Sequence, residues 1–565
     1  MVEEEREEEE RESAMDTKST EDWLRYAEEL VPIAIKKATM VKVFLGKWKL
    51  ISSKLEQVPQ CLSSLSSHPC FCKNSLCKEQ LQAVSATLQE AIDLADSCLE
   101  EKYTGKLQMQ SNLDSLHTKL DLNLHDCGLL VKTGLLGEAT LPSTVTRSGA
   151  AARLEAMKWN IRELLARLQI GRIEAKHKAL DNLLEAMKED EKNVLSVLGR
   201  SNISAIVQLL GSGSHRMREK AAMVVCYLAE SGSCESLLVP EGAIPPLIRL
   251  LESGSPIGKE KAVITLQRLS MASETARLIV GHGGIPPLIE ICRNGVSVTQ
   301  AAGAGTLKNL SAVPEIRQNL AGEGVIKIML TLLDSGILLG SKEYAAECLQ
   351  NLTASNESLR RSLVAEGGIQ QLLRYLDGPL PQESGVGALR NLVGSVAIEA
   401  LLSLGLLPRL VHVLKAGSLG AQQAAASVVS RVCNSREMRK LVGESGILPL
   451  LVKMLEAKTN SAREVAAQAL SNLLVCPQNC REMRKSEKGV PSLVQLLDPG
   501  PQNSAKKYAV SCLGYLSSSK KCRKLMVSYG AIGYLKKLCE MEVPGAKKLL
   551  ERLERGKLRS IFSKR

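Results

Sequence analysis

The chain has 565 residues, is 44% hydrophobic and carries a formal net charge of +12. Its aromatic content is only 3%, which argues against modules that stack nucleic-acid bases on exposed rings and against a β-sandwich core. A core of Leu, Ala, Val and Ile instead suits closely packed helices, under a surface with a mild basic bias.

Met1–Glu12 is nearly all Glu with two Arg, and residues 1–19 read as a solvated acidic arm. That start lacks the basic and apolar parts of a secretory leader, and no apolar run approaches the ~20 residues of a membrane span. The 16 Cys are therefore read as reduced thiols of a cytoplasmic or nuclear chain, most of them in core positions such as Cys226, Cys348, Cys433 and Cys512. Residues 20–57 predict one long helix, with Trp23, Leu24, Ala27, Leu30, Val31, Ala34 and Ile35 on one face. Pro32 is expected to bend or break it. A Ser-, Pro- and Cys-rich linker at 58–75 follows, then helices at about 75–101, 106–123 and 151–170 with a loop near 133–149. Residues 20–170 thus read as an N-terminal helical bundle. Cys61, His68, Cys70, Cys72 and Cys77 invite a zinc reading, but the Cys70/Cys72 spacing is too tight and no second pair follows. No metal or other cofactor is expected.

From about residue 200 a block recurs roughly every forty residues. It opens with Gly and an apolar residue, as in Gly242-Ala-Ile-Pro-Pro-Leu-Ile, Gly283-Gly-Ile-Pro-Pro-Leu-Ile and Gly446-Ile-Leu-Pro-Leu-Leu. Gly242, Gly284, Gly324, Gly368, Gly405, Gly446, Gly489 and Gly530 precede apolar helices and are expected to take backbone angles that other residues avoid. Pro245, Pro286, Pro408, Pro449 and Pro491 fall where a helix start loses no hydrogen bond. A longer helix closes each block and carries Leu-x-Asn-Leu, at Leu307–Leu310, Leu349–Leu352, Leu389–Leu392 and Leu470–Leu473. Tyr227, Arg268, Arg431 and Tyr515 take the Asn place in other copies, and Leu180–Leu183 is an earlier echo. Such units cannot hide their apolar faces alone, so they stack as a solenoid.

These openings and Leu-x-Asn-Leu helices together resemble the armadillo repeat family over residues 172–550. HEAT repeats are the nearest rival but usually lack both features. The resemblance implies an all-α chain: the bundle, then a right-handed armadillo superhelix (an α-solenoid) of about nine repeats, the first partial. The last, from Gly530, reads as a polar cap, and 551–565 as a basic tail. In this family the third helix of each repeat lines a concave groove, and its Asn side chains hold an extended peptide by its main chain. The matching ladder here is Asn309, Asn351, Asn391 and Asn472. An amide both donates and accepts, so the same residues are equally suited to satisfying a neighbouring helix. Importin-α adds a Trp four residues before the Asn, where this chain has Gly305, Glu347, Gly387 and Gln468, so a nuclear-import receptor is not expected. Arg268, Lys308, Arg390 and Arg431 lie at or beside the ladder. If they share the groove, its ligand is acidic or phosphorylated; otherwise they are helix formers on a wet face.

Ser67–Phe71 and Cys77–Leu81 resemble the N-terminal helical domain of plant U-box/armadillo ubiquitin ligases, but no U-box entry sequence follows. The chain is similar to the U-box-free branch of those plant proteins. It has no phosphate loop, zinc-protease helix or nucleophile elbow, and its 7 His are scattered. The expected function is a non-catalytic, monomeric scaffold for partner proteins, with no nucleic acid. A substrate adaptor in a ubiquitin-ligase pathway is the alternative, and membrane-surface contact through the basic tail a third reading.

Overall fold

The computed structural model describes residues 18–69, 71–103, 105–132, 150–170, 173–232, 235–378 and 383–562. Most of the acidic arm, Cys70, the loop at 133–149 and residues 563–565 of the basic tail lie outside the described residues. Among those described, helices follow one another without a strand, apart from an isolated bridge between Val393 and Val396. The architecture is an all-α solenoid of repeated helices. By packing the chain divides into two compact units, Met1–Lys261 and Ala262–Arg565.

In the first unit Ser19 and Asp22 cap the opening helix reciprocally, each side chain accepting the other residue's backbone N–H, at 3.1 and 3.0 Å. The helix runs from Thr20 through Pro32 to Met40. Pro32 removes one hydrogen bond, but the Trp23, Ala27, Leu30, Val31 and Ala34 face stays buried and packs against the Ser75–Leu99 helix. The expected break falls later, before the Leu45–Leu55 helix, where Phe44 takes a left-handed φ of 52°. The expected linker at 58–75 folds in its first part as the helix Val58–Ser66, with Pro59 in the first turn and Val58, Leu62 and Leu65 buried. Helices Ser75–Leu99, Lys106–Lys132 and Ala150–Gln169 follow. Lys37, Lys47 and Lys54 pair with Asp96, Asp114 and Asp121 across these helices.

The second unit repeats one motif. A helix such as Ser273–Gly281 leads to an apolar helix, Ile285–Asn294, and then to a third, Ser297–Ala312. The turn before the apolar helix needs a left-handed residue, and Gly283, Gly324, Gly367, Gly405, Gly446 and Gly530 supply it with φ between 76° and 86°. The expectation for Gly284 and Gly368 is thus one residue late: the first Gly of each pair makes the turn. Gly489 instead starts the helix Gly489–Gln495 and lies buried against Met483. A second set of glycines follows the apolar helix. A Cβ on Gly295, Gly336 or Gly417 would come within 2.5 to 2.7 Å of a carbonyl oxygen of that helix.

The third helices are Ser297–Ala312, Leu339–Ser355, Glu383–Leu392, Leu419–Val432, Asn460–Leu473 and Lys506–Leu516. Each packs on the next. Small residues make that approach close, with Ala304, Ala346, Ala388, Ala425, Ala467 and Ala509 fully buried beside Leu307, Leu349, Leu389, Val429, Leu470 and Leu513. Burying one such Leu is worth about 1.5–3 kcal/mol.

Candidate functional site

The Leu-x-Asn-Leu signature repeats because each buried Leu pair fixes its helix, which leaves the intervening Asn half-buried beside the preceding third helix. Asn309 Nδ2 donates to the Gln267 carbonyl at 2.9 Å and to Ser270 Oγ at 3.0 Å. Asn391 does the same with the Gln350 carbonyl at 3.1 Å and Thr353 Oγ1 at 3.2 Å. Asn472 reaches the Ser430 carbonyl at 3.2 Å and Ser430 Oγ at 2.7 Å, and Asn351 reaches Ser311 Oγ at 3.1 Å. Gln267 and Ser430 lie in last helical turns, whose carbonyls lack intrahelical donors. The accepting hydroxyls are themselves anchored. Ser270 Oγ donates to the Gln267 carbonyl at 2.9 Å and Ser311 Oγ to the Lys308 carbonyl at 2.6 Å.

The four asparagines are therefore spread along one file of third helices, each tied to the helix before it. Among the described residues no hydrogen bond reaches the Oδ1 of Asn309, Asn351, Asn391 or Asn472. The nitrogen of each amide is committed within the fold, and its oxygen is the atom left to accept a further donor.

The four cations differ from one another. Arg431 fills the Asn place of its helix and copies its bond, Nη1 donating to the Arg390 carbonyl at 3.1 Å. Lys308 is partly neutralised, with Nζ 3.4 Å from Glu347 and 5.4 Å from the centre of the Tyr344 ring. Arg268 is exposed and Arg390 half-buried, and neither has an ion-pair partner among the described residues.

The glycines four residues before the ladder have a geometric cause. A Cβ on Gly305 would fall 2.1 Å from Gln267 Nε2, and one on Gly387 would fall 2.6 Å from Gln350 Nε2. Glutamines from the preceding helix fill the space beside Gly305 and Gly387, so neither position has free room for a larger side chain. One further feature escaped the sequence reading. Ile264, Val298, Ala301, Leu338, Leu339 and Tyr344, from three successive third helices, line an open hollow of about 560 Å³. Val298 and Leu339 are half exposed there, at 50% and 55%. Their only sequence signal was an apolar residue near the start of a third helix.

Cys70 lies outside the described residues, so the cluster of Cys61, His68, Cys70, Cys72 and Cys77 is seen only in part. Cys77 is buried, Cys72 is exposed with Sγ 3.1 Å from Glu21 Oε1, and Cys61 hydrogen-bonds with Cys127. Among the described residues no group of three or more His, Cys, Asp and Glu is placed to hold a metal. Nor is any helix among them long and apolar enough to cross a membrane.

Residues 435–475 match the family model of the Armadillo/beta-catenin-like repeat. This segment holds a whole three-helix unit, Arg436–Glu444, Ile447–Met454 and Asn460–Leu473, with Gly446 and Asn472 in their expected places. Residues 25–135 match a domain described only as one of unknown function, DUF7032. No curated protein matches the chain. Among solved structures, the crystal structure of an engineered protein from the Northeast Structural Genomics Consortium is similar over 70% of this chain and 98% of its own. At 23% identity and a TM-score of 0.60 this likeness concerns fold alone. Armadillo repeats generally bind protein partners, and helical-repeat folds of this kind are typically non-catalytic. The repeat match, set in a unit built of helices stacked in the same manner, supports membership of the armadillo-repeat superfamily and a role as a protein-interaction scaffold.

Proposed function

We propose that the file of third helices from Arg268 to Asn472 binds an extended, acidic or phosphorylated segment of a partner protein. The observation that carries the reading is the orientation of the ladder amides, whose nitrogens are held by the preceding helix while their oxygens remain available. An extended backbone offers an N–H at regular intervals, and one amide oxygen per repeat accepts such donors whatever the side chains. Arg268 and Arg390 add guanidinium groups without an ion-pair partner among the described residues, suited to carboxylate or phosphate. The hollow between Val298 and Leu339 offers a place for one apolar side chain of the same segment.

Selection of displayed random peptides on the full chain tests this. Acidic sequences with a recurring apolar residue are expected, with affinity falling as salt rises. The paired reversal Arg268→Glu and Arg390→Glu is expected to weaken them at least tenfold. Enrichment of basic peptides, or unchanged affinity and salt dependence in the folded variant, would overturn the proposal.

A further inference from the structure

The formal net charge of +12 is unevenly placed. From Pro499 to residue 565 the sequence holds sixteen Lys and Arg against four Glu, so this segment carries the whole net charge and the remainder of the chain is balanced. The described part folds as helices Lys506–Leu516, Lys520–Ser528, Ala531–Glu540 and Ala546–Phe562. Lys507, Lys520, Lys521, Lys524, Lys536, Lys537, Lys547 and Lys548 are all exposed, as are Arg552 and Arg555. From Gly489 onward no ion pair is found among the described residues, whereas earlier lysines pair repeatedly with Asp or Glu.

We infer that this lysine surface of residues 507–555 docks the protein on anionic lipid headgroups of a bilayer. The chemistry favours that partner over a phosphopeptide or a nucleic acid. Lysines outnumber arginines eight to two among these exposed cations, and an ammonium is a hydrated point charge rather than a fork for bidentate recognition of one phosphate. The charges are spread over four helices, as suits a diffuse negative surface rather than one bound strand. Tyr529, Tyr534 and Met541 lie between these cations in the sequence and are 51%, 37% and 47% exposed. Phenol rings settle at headgroup depth, and a thioether adds apolar contact. Each lysine near an anionic leaflet contributes independently, so the surface acts by sum.

The test is co-sedimentation of the full chain with vesicles of phosphatidylcholine alone, or of phosphatidylcholine with about one third phosphatidylserine. Binding only to the serine-containing vesicles is expected, weakening as salt rises. The variant K520Q/K521Q/K524Q/K536Q/K537Q should bind at least about tenfold more weakly. K458Q/K485Q, which neutralises two exposed lysines of earlier repeats, should bind as the parent does. The inference is overturned by absence of binding, by equal binding to both vesicle types, or by an unaffected five-lysine variant. Tighter binding to duplex DNA or to RNA than to the vesicles at the same salt would also overturn it.

Discussion

Leu349 and Leu513 are both fully buried, each in the middle of a third helix packed against its predecessor. In the repeats around Leu349 several polar groups are paired: Lys308 faces Glu347, Arg374 faces Asp334, and the Asn351 amide donates to the helix behind it. Around Leu513 the place of the Asn is taken by Tyr515, which is 42% exposed, and the nearby lysines have no ionic partner among the described residues. Packing of the repeat is thus indifferent to its polar surface. One unit can join its neighbours through a ladder of amides, while another of the same build presents bare charge to solvent.

The largest expected effect tests the shared part of this comparison. Leu349→Ala and Leu513→Ala should each cost about 2–5 kcal/mol in urea unfolding, because both open a cavity in the same kind of interface. A loss at one site and none at the other would break the parity of the two cores. The ladder should then separate the regions. Asn472→Asp sets a carboxylate against the Ser430 carbonyl and is expected to cost about 2–3 kcal/mol. Tyr515→Ala, at the same place in the last unit, should cost well under half of that.

A smaller effect follows from thiols of the ladder region. Burial pushes Cys348 and Cys433 up to about 12 from an ordinary 9.0. Both stay protonated in the fold when the unfolded chain's thiols ionise. The stability tied to that difference is whole below pH 9 and is lost as pH rises from 9 toward 12. At pH 10 the expected loss is about 1 kcal/mol for each thiol. The double variant Cys348→Ala/Cys433→Ala should be less stable throughout but show a shallower alkaline decline, and an unchanged slope would contradict this account. The smallest effect belongs to the exposed lysines. Lys520→Gln or Lys536→Gln should change unfolding free energy by no more than about 0.5 kcal/mol, a larger change pointing to contacts absent from the fold described above.

Much of the fold was legible because its signals are local. The Gly-apolar-Pro openings mark helix starts, and the Leu-x-Asn-Leu spacing marks the third helices. Misreadings arose where composition and burial disagree. Val58–Ser66 looks like a linker by its Ser, Pro and Cys, yet Val58, Leu62 and Leu65 share a face and that face is covered. Phe44 precedes the Leu45–Leu55 helix in a left-handed conformation that no Gly or Asn announces. The ladder asparagines were identifiable as a set, but the direction of their amides was not. Their partners, Gln267, Ser311, Gln350 and Ser430, lie a repeat earlier, and only the stacking shows that the nitrogens turn back along the array. Gly305 and Gly387 register as missing Trp in sequence, and their reason, room for Gln267 and Gln350, is likewise a contact between repeats.

The account rests on the ladder oxygens serving a partner's backbone. Calorimetric titration of a peptide selected on the parent chain into the variant Asn309→Ala/Asn351→Ala/Asn391→Ala, with folding checked by circular dichroism, tests this most directly. Loss of at least about tenfold in affinity in a folded variant is predicted, since three main-chain bonds are removed together. Unchanged affinity in that folded variant would contradict the account and leave the asparagines as ties between repeats alone.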